Sequence, residues 1–133
     1  MVRRRRRAVL KLILDTHALI WWLRDDRRLN RDARAAIATA DIVWISAAAA
    51  VETALKVSKG TLRMPESVRV TVAVDNFTEL PLTLEHAEEL ERLPRHHGDP
   101  FDRMLVAQAR VEGATIVSHD RDLEPYDVPV IWT

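Results

Sequence analysis

The sequence contains no cysteine, so disulfide bonds and thiolate metal sites are both excluded. It has no excess of either charge, because 20 basic and 20 acidic residues balance, and no global field would draw the protein to nucleic acid. The apolar runs are short and interrupted by charge, and none approaches the length of a membrane span. These absences favour a protein of the reducing cytoplasm without a membrane anchor.

The 133 residues, 47% hydrophobic and 30% charged, are sufficient for one globular domain with a proper core. Positive charge is concentrated in Arg3 to Arg7. The basic start is similar to an export signal, but Lys11 and Asp15 interrupt the apolar run and no small-residue cleavage site follows. We interpret 1–9 as a mobile basic arm, which could grip RNA backbone or reflect a misplaced start codon, and 10–133 as the domain.

Predicted strands and helices alternate along the chain. The expected strands are 9–14, 41–46, 77–83, 115–118 and 128–132. The expected helices are 16–23, 31–40, 47–58, 66–77, 84–93 and 100–112, with a helical turn in 120–126. This alternation predicts an α/β/α sandwich in which helices flank a mainly parallel central sheet.

Acidic residues fall where the predicted strands end. Asp15 ends the first strand and Asp120 follows the fourth, while Glu52 lies about two turns along the helix after the second. Asp99 and Asp102 open the long helix that leads into the fourth strand. Because sites in parallel sheets form outside the carboxyl ends of the strands, we expect these acids to converge at one edge.

The repulsion between converging acids must be compensated. Two like charges ~4 Å apart repel by roughly 4 kcal/mol at an effective dielectric near 20. Either some of the acids hold protons or a cation lies among them. Oxygen ligands without cysteine indicate a hard ion, Mg²⁺ or Mn²⁺, which in proteins usually acts on phosphates.

Four stretches together resemble a known family. "LILDTHALIWWL", "ISAAAAVETALKVSKGTL", "GDPFDRMLVAQA" and "IVSHDRDLEPYDVPVIW" are similar to the successive blocks of PIN-domain ribonucleases, and most of all to the VapC-type toxins of bacterial toxin–antitoxin pairs. The resemblance covers 10–133 in the expected order, which is far more specific than any single block.

The resemblance implies a PIN-like fold and an endoribonuclease that cleaves RNA with Mg²⁺ or Mn²⁺ and leaves a 5′-phosphate and a 3′-hydroxyl. The four acids of the family's catalytic metal site fall here on Asp15, Glu52, Asp102 and Asp120. We expect Asp15 and Asp102 to be the principal ligands. The resemblance further implies a homodimer and an antitoxin protein whose tail blocks the acidic pocket.

The sequence departs from the family pattern in three places. Where relatives usually have Ser-x-Trp-Glu, Ala49, Ala50 and Val51 precede Glu52. Where relatives usually have Thr-x-Asp, this chain has Ser118-His119-Asp120, which preserves the hydroxyl. The arginine block has no counterpart in the family.

Each of the four acids also has a structural interpretation. Asp15 and Asp120 could cap the helices that follow them, and Glu52 could form an exposed ion pair with Lys56 at i+4. Asp102 could belong to the start of its helix, where Asp99 is a suitable N-cap. We favour the metal-ligand role for all four and the cap for Asp99.

Several supporting residues are also expected near the acids. Thr16, Ser46 and Ser118 could position water or a carboxylate, or could cap the adjoining helix or turn. Arg103 is expected to pair with Asp99 rather than to contact RNA phosphate. Trp21 and Trp22 cannot both face inward on one helix, so one of them is expected to meet a partner chain.

Three other functions compete with this hypothesis. The residues ahead of Glu52 leave open a catalytically silent PIN-fold module that binds RNA or a partner. A phosphoacceptor signalling domain is disfavoured because "FTELPLT" ends without an acid. Acid–base catalysis by His96 and His97 without metal is also disfavoured, since loop histidines are usually solvated.

Overall fold

The computed structural model describes residues 8–133, and the arginine block Arg3 to Arg7 lies outside them. Its strands are Lys11–Leu14 (β1), Ile42–Ser46 (β2), Thr78–Leu80 (β3), Thr115–Ser118 (β4) and Val130–Trp132 (β5). Its α-helices are Thr16–Leu23 (α1), Arg31–Thr39 (α2), Ala47–Ser58 (α3), Val68–Val74 (α4), Leu84–Arg92 (α5) and Pro100–Glu112 (α6). A short 3₁₀ helix, Arg121–Leu123, follows β4.

The five strands form one sheet in the order β3-β2-β1-β4-β5, and every neighbouring pair is parallel. The chain winds outward from β1 in one direction and returns to place β4 on its other side. The predicted α/β fold with a parallel sheet flanked by helices is therefore confirmed.

The side chains of β1 alternate between two apolar cores, as the two-residue repeat of a strand requires. Leu12 and Leu14 pack with residues of α1, α2 and β2, whereas Ile13 packs on the opposite face with α6 and β4. All three side chains are fully buried. A strand covered on both faces explains why the sequence is continuously apolar just before Asp15.

The helix α6 has the boundaries that its sequence predicts. Asp99 accepts hydrogen bonds from the backbone N–H groups of Phe101 (2.9 Å) and Asp102 (3.1 Å), and Pro100 is the first helical residue. Gly113 ends the helix with a left-handed φ of 66°, which glycine adopts without strain. This helix start fixes the position of Asp102 relative to the sheet.

Several elements are shorter than their sequences predict, and two of them differ by four residues or more. The helix expected over 66–77 is confined to Val68–Val74, because Ser67 caps its start and Asn76 has a positive φ of 61°. The strand expected over 77–83 contains only Thr78–Leu80, since only these residues pair with β2.

Trp21 and Trp22 both have contacts within the domain, and the expected contact of one of them with a partner chain stays a prediction. Trp21 is buried in the core. Trp22 packs against Phe77, with ring centroids 5.6 Å apart, and its indole N–H donates to Asp75 Oδ2 at 3.0 Å. Trp44 and Trp132 are sheet residues, as predicted.

Within residues 8–133, no helix is long and apolar enough to cross a membrane.

Candidate metal centre

The predicted acids gather beyond the carboxyl ends of β1 and β4. These adjacent strands mark the point at which the sheet order reverses, because β2 and β3 extend to one side and β5 to the other. Loops leaving such a switch point diverge to opposite faces of the sheet and open a crevice between them. The described residues form a cleft of about 180 Å³ there, lined by Asp15, Thr16, His17, Glu52, Lys56, His97, Asp99, Asp102 and Asp120.

Asp15 lies at the base of the cleft and is 3% exposed. One carboxylate oxygen accepts a hydrogen bond from the N–H of Ala18 at 2.8 Å, and the hydroxyl of Ser118 donates to the carboxylate. Burial raises the pKa of Asp15, and these hydrogen bonds only partly offset that effect. Asp15 can therefore cap α1 and also belong to the acidic cleft, because the cap uses only one of its two carboxylate oxygens.

Asp102 faces Asp15 from the first turn of α6. Burial raises its pKa to about 6, helped by the charges of Asp99, Asp15 and Asp120, although a hydrogen bond with His97 acts in the opposite direction. A carboxyl group with this pKa gains from a nearby cation, which removes both the repulsion and the cost of burial.

Glu52 reaches the cleft from α3. The hydroxyl of Thr16 donates a short hydrogen bond to Glu52 Oε1, and Lys56 Nζ lies 3.7 Å from Oε2. The predicted ion pair between Glu52 and Lys56 is thus present, and both residues line the cleft. The ion pair therefore does not exclude Glu52 from the acidic site. Thr16 fixes one oxygen of Glu52 beside the start of α1.

Asp120 completes the acidic group from the loop after β4. Its backbone N–H donates to Ser118 Oγ at 3.0 Å, and its Oδ1 accepts from the N–H of Asp122 at 2.9 Å, so it caps the 3₁₀ helix. Its Oδ2 lies 3.9 Å from His97 Nε2. The fully buried Ser118 therefore lies between the carboxylate of Asp15 and the backbone of Asp120.

His97 was not expected in this site. Its Nε2 lies 2.9 Å from Asp102 Oδ2, and its Nδ1 lies 3.7 Å from Asp122 Oδ2. Burial alone would lower the pKa of His97, but the hydrogen bond to Asp102 and the charges of Asp102, Asp120 and Asp122 raise it above its ordinary value. The histidine lies among the acids rather than in solvent.

Two residues expected near the acids lie elsewhere. Ser46 caps α3 and its hydroxyl bonds the buried Gln108 Oε1, so it joins two elements of the core. The guanidinium of Arg103 donates to the carbonyl of Pro94 at 2.9 Å and to the hydroxyl of Tyr126 at 3.1 Å, rather than pairing with Asp99. Arg103 thereby supports the loop that carries His97.

The donor set of the cleft fits a hard divalent ion. Carboxylates from the end of β1, from α3, from α6 and from the loop after β4 meet, and burial raises the pKa of two of them, Asp15 and Asp102. Nitrogen and oxygen atoms of His97, Asp102 and Asp120 all lie within 4.8 Å of one another. Oxygen-rich sites with several carboxylates suit Mg²⁺ and Mn²⁺.

Comparison with known proteins places the chain in a family. The model of the PIN domain matches residues 12–129, which include every acid of the cleft. The chain belongs to the PIN domain family. The resemblance of the four sequence blocks to PIN domains is confirmed.

Individual relatives agree with this assignment. The PIN domain described here is 27% identical to Ribonuclease VapC22 of Mycobacterium tuberculosis, an alignment that covers 91% of this chain and 98% of that protein. Its fold is similar to a chain of VapBC2 from Rickettsia felis bound to a promoter DNA fragment, with a TM-score of 0.70 at 11% identity over 92% of this chain and 98% of that one. A chain of DNA-bound VapBC from Salmonella typhimurium gives 0.68 at 16% identity, with the same two coverages.

One feature of the sequence could have indicated that His97 lies in the cleft. Four or five converging acids call for a positive partner, and His97 is the histidine nearest in sequence to Asp99 and Asp102. Nothing in its local pattern distinguishes it from His96, whose ring instead packs edge-on against Tyr126, with ring centroids 5.2 Å apart. Only the path of the loop shows which of the two enters the cleft.

Proposed function

We propose that this PIN domain is a divalent-metal-dependent endoribonuclease and the toxin of a toxin–antitoxin pair. The observation that carries the proposal is the convergence of Asp15, Glu52, Asp102 and Asp120 in one cleft at the switch point of the sheet. The similarity to Ribonuclease VapC22 over nearly the whole of both chains supports RNA as the substrate.

Asp15 and Asp102 are the proposed principal ligands of a Mg²⁺ or Mn²⁺ ion, because the starts of α1 and α6 hold both in the cleft and burial raises the pKa of both carboxyl groups. Glu52 and Asp120 complete the ion's surroundings directly or through water. When bound, the ion supplies a water activated for in-line attack and neutralises charge on the phosphodiester. Thr16 and Ser118 hold the acids in position through the hydrogen bonds described above.

A basic cleft beside the acids supports a polyanionic substrate. It has a volume of about 390 Å³ and shares His97 with the acidic cleft, and its other lining residues include Arg95, His96 and Arg103. RNA phosphates flanking the cleaved bond would gain from this charge, and the binding should weaken as the salt concentration rises.

The proposed partners are an antitoxin protein and a second copy of this chain. Structures similar in fold include VapBC complexes and a toxin–antitoxin complex from Klebsiella pneumoniae, the latter with a TM-score of 0.63 at 17% identity. A peptide that fills the acidic cleft would silence the enzyme by excluding both ion and RNA. We propose the cytoplasm as the place of action, since RNA is found there and the chain has no cysteine that an oxidising compartment could use.

The altered residues ahead of Glu52 were the reason to consider a silent binding module. Ala49 is buried and Val51 is half exposed, yet Glu52 still reaches the cleft and accepts from Thr16. The substitutions thus leave the position of the carboxylate intact, which favours catalysis over binding alone.

Cleavage of mixed cellular RNA with Mn²⁺, Mg²⁺ or EDTA tests the proposal. We expect metal-dependent fragments with a 5′-phosphate and a 3′-hydroxyl, and no cleavage by Asp15→Asn. Fragments that persist in EDTA and carry cyclic phosphate ends would instead indicate a metal-free mechanism. RNA binding without cleavage under any metal would indicate the silent module.

A further inference from the structure

His97 approaches the acidic cleft with its ring edge rather than its face. Nε2 is directed at two of the acids, 2.9 Å from Asp102 Oδ2 and 3.9 Å from Asp120 Oδ2. Both carboxylates belong to the proposed metal centre. The imidazole nitrogen therefore lies where a third ligand to the same ion would lie.

The spacing of these atoms fits an octahedral ion. Ligands about 2.1 Å from such an ion lie about 3.0 Å apart when adjacent and about 4.2 Å apart when opposite. The distance from His97 Nε2 to Asp102 Oδ2, 2.9 Å, is close to that of adjacent ligands, and the distance to Asp120 Oδ2, 3.9 Å, lies between the two values. One donor atom from each of the three residues lies within 4.8 Å of the others. An ion bound to both His97 Nε2 and Asp102 Oδ2 would lie to one side of the line that joins them and would replace the hydrogen bond between the two groups.

The second ring nitrogen of His97 also has a carboxylate nearby. Nδ1 lies 3.7 Å from Asp122 Oδ2, and histidine ligands in proteins generally direct their free N–H towards a carboxylate, carbonyl or water. Asp122 is next but one to Asp120, so one short loop would supply both an acid of the centre and the carboxylate behind the histidine.

The backbone of His97 is also held in place. Its N–H donates to the hydroxyl of Tyr126 at 3.1 Å, and that hydroxyl accepts from Arg103 at 3.1 Å. Tyr126 is buried, and Arg103 is itself bound to the carbonyl of Pro94 at 2.9 Å. These contacts fix the backbone from which the imidazole extends, and a fixed backbone favours a ligand over a solvated loop residue.

We propose that His97 Nε2 is a ligand of the divalent ion, which makes the centre a mixed nitrogen–oxygen site rather than one of carboxylates alone. This inference rests on the metal centre of the proposed function and refines it. An imidazole ligand favours Mn²⁺ over Mg²⁺, because Mg²⁺ prefers oxygen whereas transition metals accept nitrogen. The protein should thus prefer Mn²⁺ over Mg²⁺ more strongly than a site made of carboxylates alone would.

Electron spin-echo spectroscopy of the Mn²⁺-loaded protein tests the ligand directly, since a coordinated imidazole gives ¹⁴N modulation that oxygen ligands do not. We expect modulation in the wild type and in the neighbouring control His96→Gln, and its loss in His97→Gln. Calorimetry should show Mn²⁺ affinity about tenfold weaker in His97→Gln, with a smaller change for Mg²⁺. His97→Asp should restore much of the Mn²⁺ affinity without restoring the modulation.

The outcomes separate this inference from the proposed function. Bound Mn²⁺ without ¹⁴N modulation in the wild type, or modulation that persists in His97→Gln, would overturn the ligand role while leaving the acidic metal centre in place. Failure of the wild type to bind Mn²⁺ at all would overturn the metal centre and the inference with it. Thermal unfolding of each variant establishes that it is folded before its metal binding is compared.

Discussion

At the scale of single residues, the cleft holds charge that destabilises the fold. Asp15 is almost fully buried and the pKa of its carboxyl is raised, mainly by burial. A carboxyl whose pKa is higher in the folded than in the unfolded protein lowers stability above its unfolded pKa, and that loss disappears as the pH falls. The proposed function of Asp15 as a metal ligand therefore opposes stability.

Replacing Asp15 with asparagine should accordingly stabilise the metal-free protein. Asparagine caps a helix as well as aspartate does and carries no charge to desolvate. We expect Asp15→Asn to raise the free energy of unfolding by about 1 kcal/mol at pH 8, with the advantage lost near pH 4. Urea unfolding in EDTA at both pH values measures this.

The matched control is Asp15→Ala, which removes the cap as well as the charge and should be about 1 kcal/mol less stable than Asp15→Asn. An Asp15→Asn variant less stable than the wild type at pH 8 would contradict the cost assigned to the buried carboxylate.

Thr16 should act on metal affinity through Glu52. Its hydroxyl donates to Glu52 Oε1, and partners of this kind that orient a ligand are worth 10- to 100-fold in metal affinity. We expect Thr16→Val to weaken Mn²⁺ binding by about tenfold, and Thr16→Ser, which keeps the hydroxyl, to bind nearly as the wild type. Calorimetric titration distinguishes them, and equal affinities in all three proteins would show that Thr16 does not position Glu52.

At the scale of elements, two acids at the start of α6 have different contacts, and we propose a structural role for one and a metal-ligand role for the other. Asp99 Oδ1 accepts from two backbone N–H groups, whereas Asp102 directs its carboxylate at His97. Both lie in the same turn and both line the cleft. Their roles should be separable by substitution.

Asp99→Ala should lose about 1 kcal/mol of stability with its cap, while Asp99→Asn should retain the stability. Asp99→Asn should also keep Mn²⁺ affinity within a few fold of the wild type, whereas Asp102→Asn should abolish binding. Thermal unfolding and Mn²⁺ titration of the three variants provide the test. Loss of binding in Asp99→Asn as complete as in Asp102→Asn would make Asp99 a ligand.

Local sequence predicted these elements to different degrees. The ends of α6 were predicted because Asp99, Pro100 and Gly113 mark them chemically. The predicted range of α4 was too long because its valines fit helix and strand patterns alike. The observed bounds depend on the cap by Ser67 and the positive φ of Asn76. The contacts of Arg103 and His97 could not be predicted, since they depend on the path of the loop between α5 and α6, which tertiary packing determines.

At the scale of the whole molecule, the sheet order brings the acids together. Asp15 and Asp120 are 105 positions apart in the sequence but follow adjacent strands, because β4 pairs with β1. The sequence could predict that acids end several strands, and a parallel sheet places those ends on one edge. No local pattern of the sequence predicts that β1 and β4 are neighbours.

The assembled cleft should make the fold respond to divalent ions. A ligand that binds only the folded state at 100 times its dissociation constant adds about 2.7 kcal/mol of stability, which corresponds to a rise of roughly 10 °C in Tm for a domain of this size. We expect this rise with Mn²⁺, its reversal by EDTA, and none in Asp102→Asn. An equal rise in Asp102→Asn would place the bound ion elsewhere.

The central claim is that side chains distant in sequence form one pocket for a divalent ion, and anomalous diffraction from a Mn²⁺-loaded crystal tests it most directly. We predict one strong manganese peak in the cleft, about 2.2 Å from carboxylate oxygens of Asp15 and Asp102. The absence of any peak there at saturating Mn²⁺, with these carboxylates turned towards separate surfaces, would contradict the claim.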